Sequence, residues 1–89
     1  SVKMRVGVID GSVARSVERV KAARSALGPD IGLMCDAHGT YTVADAKQFC
    51  RLVEDYDLTW FEEPVTGDDK RGLAEVRAST SVPIAGYWS

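Results

Sequence analysis

The hydrophobic pattern of this chain changes period again and again, and that alternation limits the fold more than any other feature. "VKMRVGVI" (residues 2–9) is rich in β-branched residues and alternates with period two, which predicts a strand. From Ser12 the period lengthens. Val13, Val17, Val20 and Leu27 recur at helical spacing through "SVARSVERVKAARSAL", and Gly28-Pro29 stops the run. "IGLMCD" (31–36) predicts the next strand, followed by the loop "AHGTY". Thr42 with Asp45 has the form of a capping box, and Ala46, Phe49, Cys50 and Val53 then make an apolar helical face. "LTWFE" (58–62) predicts a third strand, ended by Pro64, which has no N–H to continue a ladder. Asp68 or Asp69 caps a third helix carrying Leu73 and Val76, and "VPIAG" (82–86) predicts a fourth short strand. The order β-α-β-α-β-α-β places the chain in the α/β class, with parallel strands joined by right-handed crossovers. Two architectures satisfy it: a small open sheet, or about half of a (β/α)8 TIM barrel.

Composition removes several function classes. Of 89 residues, 45% are hydrophobic and 27% charged, so the chain can build a core and is not of the disordered type. The net charge of -2 and the lack of a basic stripe argue against nucleic acid as a partner. No apolar run approaches the roughly 18 residues of a membrane span, so no membrane partner is expected. "SVKMRVG" enters a strand directly, without the form of a signal peptide, and a cytoplasmic location is expected. Cys35 and Cys50 lie in apolar stretches and are expected to be reduced core thiols.

In a parallel α/β protein, ligands bind beyond the carboxyl ends of the strands. Here those ends carry Asp36, Glu62 and "GYWS". Strand alternation puts Lys3 and Arg5 on one face, and likewise Met34 with Asp36 and Trp60 with Glu62. If those faces converge, two cations meet two carboxylates. An unpaired buried carboxylate costs several kcal/mol, so such a cluster needs its neutralising partner. Mg²⁺ suits it, because that ion prefers carboxylate oxygens and keeps several waters. The plainer alternative is that these are solvated loop carboxylates or N-caps. Glu63, of opposite parity, is expected to pair with a basic side chain as a structural contact.

"VKMRVG", "LMCDAHGTY", "YDLTWFEEP", "DDKRGLAEVRAST" and "VPIAG", in that order, resemble the barrel domain of the enolase superfamily, in its mandelate racemase and muconate lactonising branch. The resemblance implies a (β/α)8 barrel beside a separate capping domain. It also implies an essential Mg²⁺ that stabilises the enediolate formed when a base removes the proton α to a carboxylate. Carried over by position, Asp36 and Glu62 are metal ligands, and the branch's Lys-x-Lys pair falls on Lys3 and Arg5. The chain departs from the pattern in three places. Arg5 replaces the usual catalytic lysine, and a guanidinium holds a carboxylate better than it removes a proton. His38 stands where the family has asparagine; histidine as a residue type serves as acid or base near neutrality, and the plainer alternative is that it only hydrogen-bonds substrate or a neighbour. Gly86-Tyr87 stands where the family has Gly-Glu, so the third metal ligand is missing.

The resulting expectation is residues 1–89 as a partial barrel, strands two to five of the family's eight, without the capping domain or later strands. Its parent would be a Mg²⁺-dependent acid-sugar dehydratase or racemase acting on an acid-sugar or other carboxylate substrate. "DAHGTY" favours the dehydratase. The isolated chain is expected to be inactive, to bind Mg²⁺ weakly or not at all, and to self-associate through its open edges. The rival reading is a non-catalytic α/β fragment that folds or self-associates without a specific ligand.

Overall fold

The computed structural model describes residues 1–66 and 68–85. Four strands, β1 (Val2–Arg5), β2 (Leu33–Asp36), β3 (Trp60–Glu62) and β4 (Ile84–Ala85), form one parallel sheet in the order β1-β2-β3-β4. Three helices join them: α1 (Val13–Leu27), α2 (Val43–Val53) and α3 (Lys70–Ala78). A sheet order that never reverses, with right-handed crossovers, carries every connecting helix to the same face. That is barrel winding; a doubly wound open sheet reverses its order and uses both faces.

Local signals fix the helix ends. Ser12 Oγ accepts from Arg15 N at 3.1 Å to start α1, which ends at Gly28 (φ 81°). Thr42 Oγ1 accepts from Asp45 N at 3.1 Å to start α2. Asp69, not Asp68, caps α3, taking the Gly72 amide at 2.7 Å.

The core lies between the helices and one face of the sheet. Leu33, Cys35 and Phe61 from the strands meet Val20, Phe49, Val53 and Val76 from the helices, all fully buried. Tyr41, Phe49 and Phe61 pack at centroid separations of 4.9 to 6.2 Å, within the range where tilted rings attract. Cys35 and Cys50 are both free and buried, and burial pushes each thiol up to about 12. Among the described residues, no helix is long and apolar enough to cross a membrane.

The strands are shorter than periodicity predicts. β1 stops at Arg5 instead of running to Ile9. The cause is Gly7, at φ 107°, where a side chain would strike Thr40 Oγ1. Its amide turns to Ser16 Oγ at 3.3 Å, and Val8–Asp10 close a 3₁₀ turn. The second and third strands lose their first two residues, because pairing starts at Val2↔Leu33 and Met34↔Trp60. The fourth is Ile84–Ala85, and Gly86 lies outside the described residues.

At the amino ends of the strands, Arg24 of α1 ties the connections together. Its guanidinium donates to the carbonyls of Gly28, Ile31, Tyr56 and Asp57 at 2.6 to 3.0 Å. One side chain thus links the end of α1 to the segments entering β2 and β3.

Candidate functional site

Strand register builds the site. Arg5 pairs with Asp36 and Asp36 with Glu62, so three charged residues form a row across the carboxyl ends of β1, β2 and β3. Lys3, Met34 and Trp60 form the row below. Since Cys35 and Phe61 face the helices, alternation puts both rows on the opposite face.

Asp36, 5% exposed, is the most enclosed charge in the row. Its Oδ1 accepts from the His38 amide at 2.8 Å, while Oδ2 lies 3.1 Å from His38 Nε2 and 3.8 Å from Lys3 Nζ. His38 adopts φ 49°, a left-handed conformation that costs a non-glycine residue about 1–2 kcal/mol. The turn it makes folds the imidazole back onto Asp36. Glu62 divides its oxygens: Oε1 accepts from the Trp60 indole N–H at 2.8 Å, and Oε2 faces Lys3 Nζ at 3.4 Å. Lys3 therefore touches both carboxylates.

The structure brings Lys3, Asp36, His38 and Glu62 together. Arg5 joins the row by register, but its guanidinium makes no ion pair with a described residue, so one cation rather than two meets the carboxylates. Glu63 also departs from expectation and has no ion pair among the described residues. Its backbone, at φ 45°, does the structural work instead, donating to Ala85 O and accepting from Gly39 N at 2.8 and 2.7 Å. Gly39, at φ 71°, sits so close to Thr66 that an added Cβ would lie 3.0 Å from its Cα.

Two supporting features escape a reading of the sequence. One is the indole N–H that fixes Glu62; Trp60 and Glu62 share a face by parity, but the bond depends on side-chain rotamers. The other is a buried network behind the end of β1. Asp10 accepts from Arg19 Nη1 and from Ser16 Oγ, each at 2.6 Å, and Arg19 Nη1 also donates to Arg5 O at 2.7 Å. No local sequence signal marks it, because Asp10 and Arg19 meet only once α1 folds back along β1. A groove of about 750 Å³ between α2 and α3, lined by Lys47, Arg51, Glu54 and Glu75, lies on the helical layer and shares no residue with this cluster.

The residues present admit a hard cation. The Lys3 ammonium, within 3.8 Å of a carboxylate oxygen on each of Asp36 and Glu62, marks a point that one positive centre can share. Among the described residues, no group of three His, Cys, Asp or Glu side chains could hold a metal ion. Tyr87, at the expected place of a third ligand, lies outside the described residues. Two carboxylates suit a Mg²⁺ that keeps most of its waters, not a closed protein cage.

Comparison with known proteins bears on the fold and the family. A family model described as enolase C-terminal domain-like matches residues 1–87. D-galactarolactone cycloisomerase of Agrobacterium fabrum is 36% identical over 84 residues, covering 94% of this chain and 21% of the relative. Arabinonate dehydratase of Saccharolobus solfataricus is 34% identical over 86 residues, covering 97% of this chain and 22% of that protein. A crystal structure of a racemase from Streptomyces coelicolor with bound magnesium superposes with a TM-score of 0.90 at 37% identity, over 97% of this chain and 24% of that one. The chain thus spans between a fifth and a quarter of the length of these relatives. It belongs to the enolase C-terminal domain-like family, in the branch of the mandelate racemases and muconate lactonising enzymes.

Proposed function

We propose that this chain supplies part of the active site of a Mg²⁺-dependent enzyme that removes a proton α to a carboxylate, of the acid-sugar dehydratase or racemase type. One observation carries the reading: Asp36 and Glu62 are register partners at the carboxyl end of the sheet, with a single ammonium against both. Asp36 and Glu62 would hold the ion, which when bound supplies positive charge beside a substrate carboxylate oxygen. Lys3 and Arg5 supply further positive charge on the same face, Arg5 with a guanidinium suited to grip a carboxylate by two oxygens. His38 holds or moves a proton at Nε2, the atom that the left-handed turn brings to Asp36. An acid sugar is the favoured substrate class, because the similar proteins include an arabinonate dehydratase and a galactarolactone cycloisomerase.

The chain corresponds in this reading to strands two to five of the parent barrel. The parent's other strands and its capping domain would complete the reaction, and the 89 residues alone would not turn over. Free buried thiols favour a reducing, cytoplasmic compartment. The two flanking strands and the face carrying Trp60, 37% exposed, favour self-association of the isolated chain.

Mg²⁺ calorimetry tests the reading. Weak binding is expected, lost in Asp36→Asn and Glu62→Gln and strengthened in Tyr87→Glu. Heats that are the same in all four proteins would favour the rival, a non-catalytic fragment. Incubation with an aldonate in D₂O, followed by NMR, should show no exchange of the α proton by the chain alone. Exchange would overturn its proposed inactivity.

A further inference from the structure

We infer that Lys3 is the resident counter-cation of the Asp36–Glu62 pair, and that a divalent cation enters only by displacing its ammonium. The inference deepens the proposed function and rests on its assignment of those two carboxylates. It starts from how the oxygens are shared. Asp36 Oδ1 is taken by the His38 amide at 2.8 Å, and Glu62 Oε1 by the Trp60 indole at 2.8 Å. Of the remaining oxygens, Asp36 Oδ2 lies 3.1 Å from His38 Nε2 and 3.8 Å from Lys3 Nζ, and Glu62 Oε2 lies 3.4 Å from Lys3 Nζ, so Lys3 is the charge that reaches both. A cation held by both carboxylates would need the space between them, which the ammonium holds, with the His38 imidazole beside it on the Asp36 side.

An exposed ion pair is ordinarily worth little. Lys3 differs in facing two carboxylates at once, one of them with a side chain only 8% exposed. Two anions side by side repel each other, and in a half-desolvated site a shared cation removes that repulsion. Metal and ammonium are then alternatives, because a divalent ion among the same oxygens would stand against a positive charge a few ångströms away.

The sign of the consequence is unusual for a residue of a metal site: removing Lys3 should tighten metal binding. The test is a titration of the chain with Mg²⁺ by calorimetry and with Tb³⁺ by luminescence sensitised through Trp60, whose indole contacts Glu62. Trp88→Phe serves as background, so that Trp60 is the sole sensitiser of the two tryptophans. Lys3→Met should bind both cations at least about tenfold more tightly, a difference of about 1.4 kcal/mol. Lys3→Arg, which keeps the charge, should stay near the parent. The Lys3 side chain is 48% exposed, so the variant should fold, which circular dichroism checks; Lys3→Gln replaces it if it does not. Unchanged or weaker binding after loss of the charge overturns the inference, as does a charge-free variant that takes up neither cation. An unsubstituted chain that ignores Mg²⁺ while Lys3→Met binds it supports displacement by the ammonium, whereas Lys3→Met binding Tb³⁺ more tightly but never Mg²⁺ supports displacement and counts against the proposed Mg²⁺ role.

Discussion

Replacing Asp10 by alanine should be among the most damaging single changes outside the aromatic core. The Asp10 side chain is 7% exposed and accepts from Arg19 and Ser16 at 2.6 Å each. Ser16 is fully buried, so losing its acceptor strands a buried hydroxyl donor, which costs about 1–2 kcal/mol. Arg19 loses a charge-assisted bond of about 1.5–3 kcal/mol in full, reduced here to about 1–2 because its side chain is 36% exposed and can reach water. The sum is about 2–4 kcal/mol, against a total stability of about 4–13 kcal/mol expected for 89 residues. At about 4–8 °C per kcal/mol the melting midpoint should fall by about 8–32 °C. Urea unfolding followed by circular dichroism measures it, with the slope confirming that both proteins unfold alike. Ser16→Ala in the same background should cost less than it does alone, by about 1 kcal/mol, because the stranded donor is gone. A loss below about 0.5 kcal/mol for Asp10→Ala, or strict additivity with Ser16→Ala, would refute the network as described.

Three further outcomes follow from the packing. Arg24→Ala should cost about 2–4 kcal/mol through four carbonyls left without their donor, and Arg24→Lys should recover less than half, since an ammonium cannot reproduce the planar fork; urea titration reads both. Tyr41→Phe should be neutral or stabilising by about 1 kcal/mol, because the buried Tyr41 hydroxyl has no well-formed hydrogen bond among the described residues and burial pushes its ionisation up to about 12, a shift the nearby Ser16 hydroxyl offsets only in part. Stability should fall above pH 9, where unfolded thiols ionise at 9.0 while folded Cys35 and Cys50 keep their protons to about 12. The unfolded state then binds fewer protons, so ΔG of unfolding declines with pH, approaching about 1.4 kcal/mol per pH unit for each thiol, and Cys35→Ala should flatten that slope.

The order of elements was legible because each has its own hydrophobic period, and parallel strands with right-handed crossovers leave few ways to assemble them. Barrel winding was not legible from the period alone, since an open sheet satisfies the same pattern; the unreversed sheet order separates them. Strand ends were misread for a physical reason. "VKMRVGVI" alternates to Ile9, but Gly7 and its contact with Thr40 take the chain out of the sheet, a contact between residues far apart in sequence. In the site, parity was enough to align Lys3, Asp36 and Glu62, because register follows from alternation once one face is buried. Parity could not say which cation would reach the carboxylates, and Arg5, although aligned with Asp36, does not. Nor could it foresee the left-handed backbone of His38 and Glu63, which β-period reasoning does not describe.

Anomalous diffraction from crystals of this chain soaked in Mn²⁺ tests the central claim most directly, since that ion accepts the same oxygen ligands as Mg²⁺. The account requires a peak bound at once by Asp36 and Glu62 at the carboxyl end of the sheet, at roughly 2.1 Å from a carboxylate oxygen of each, with the Lys3 ammonium moved away from both. Density elsewhere, or on only one of the two carboxylates with Lys3 still in place between them, would contradict it.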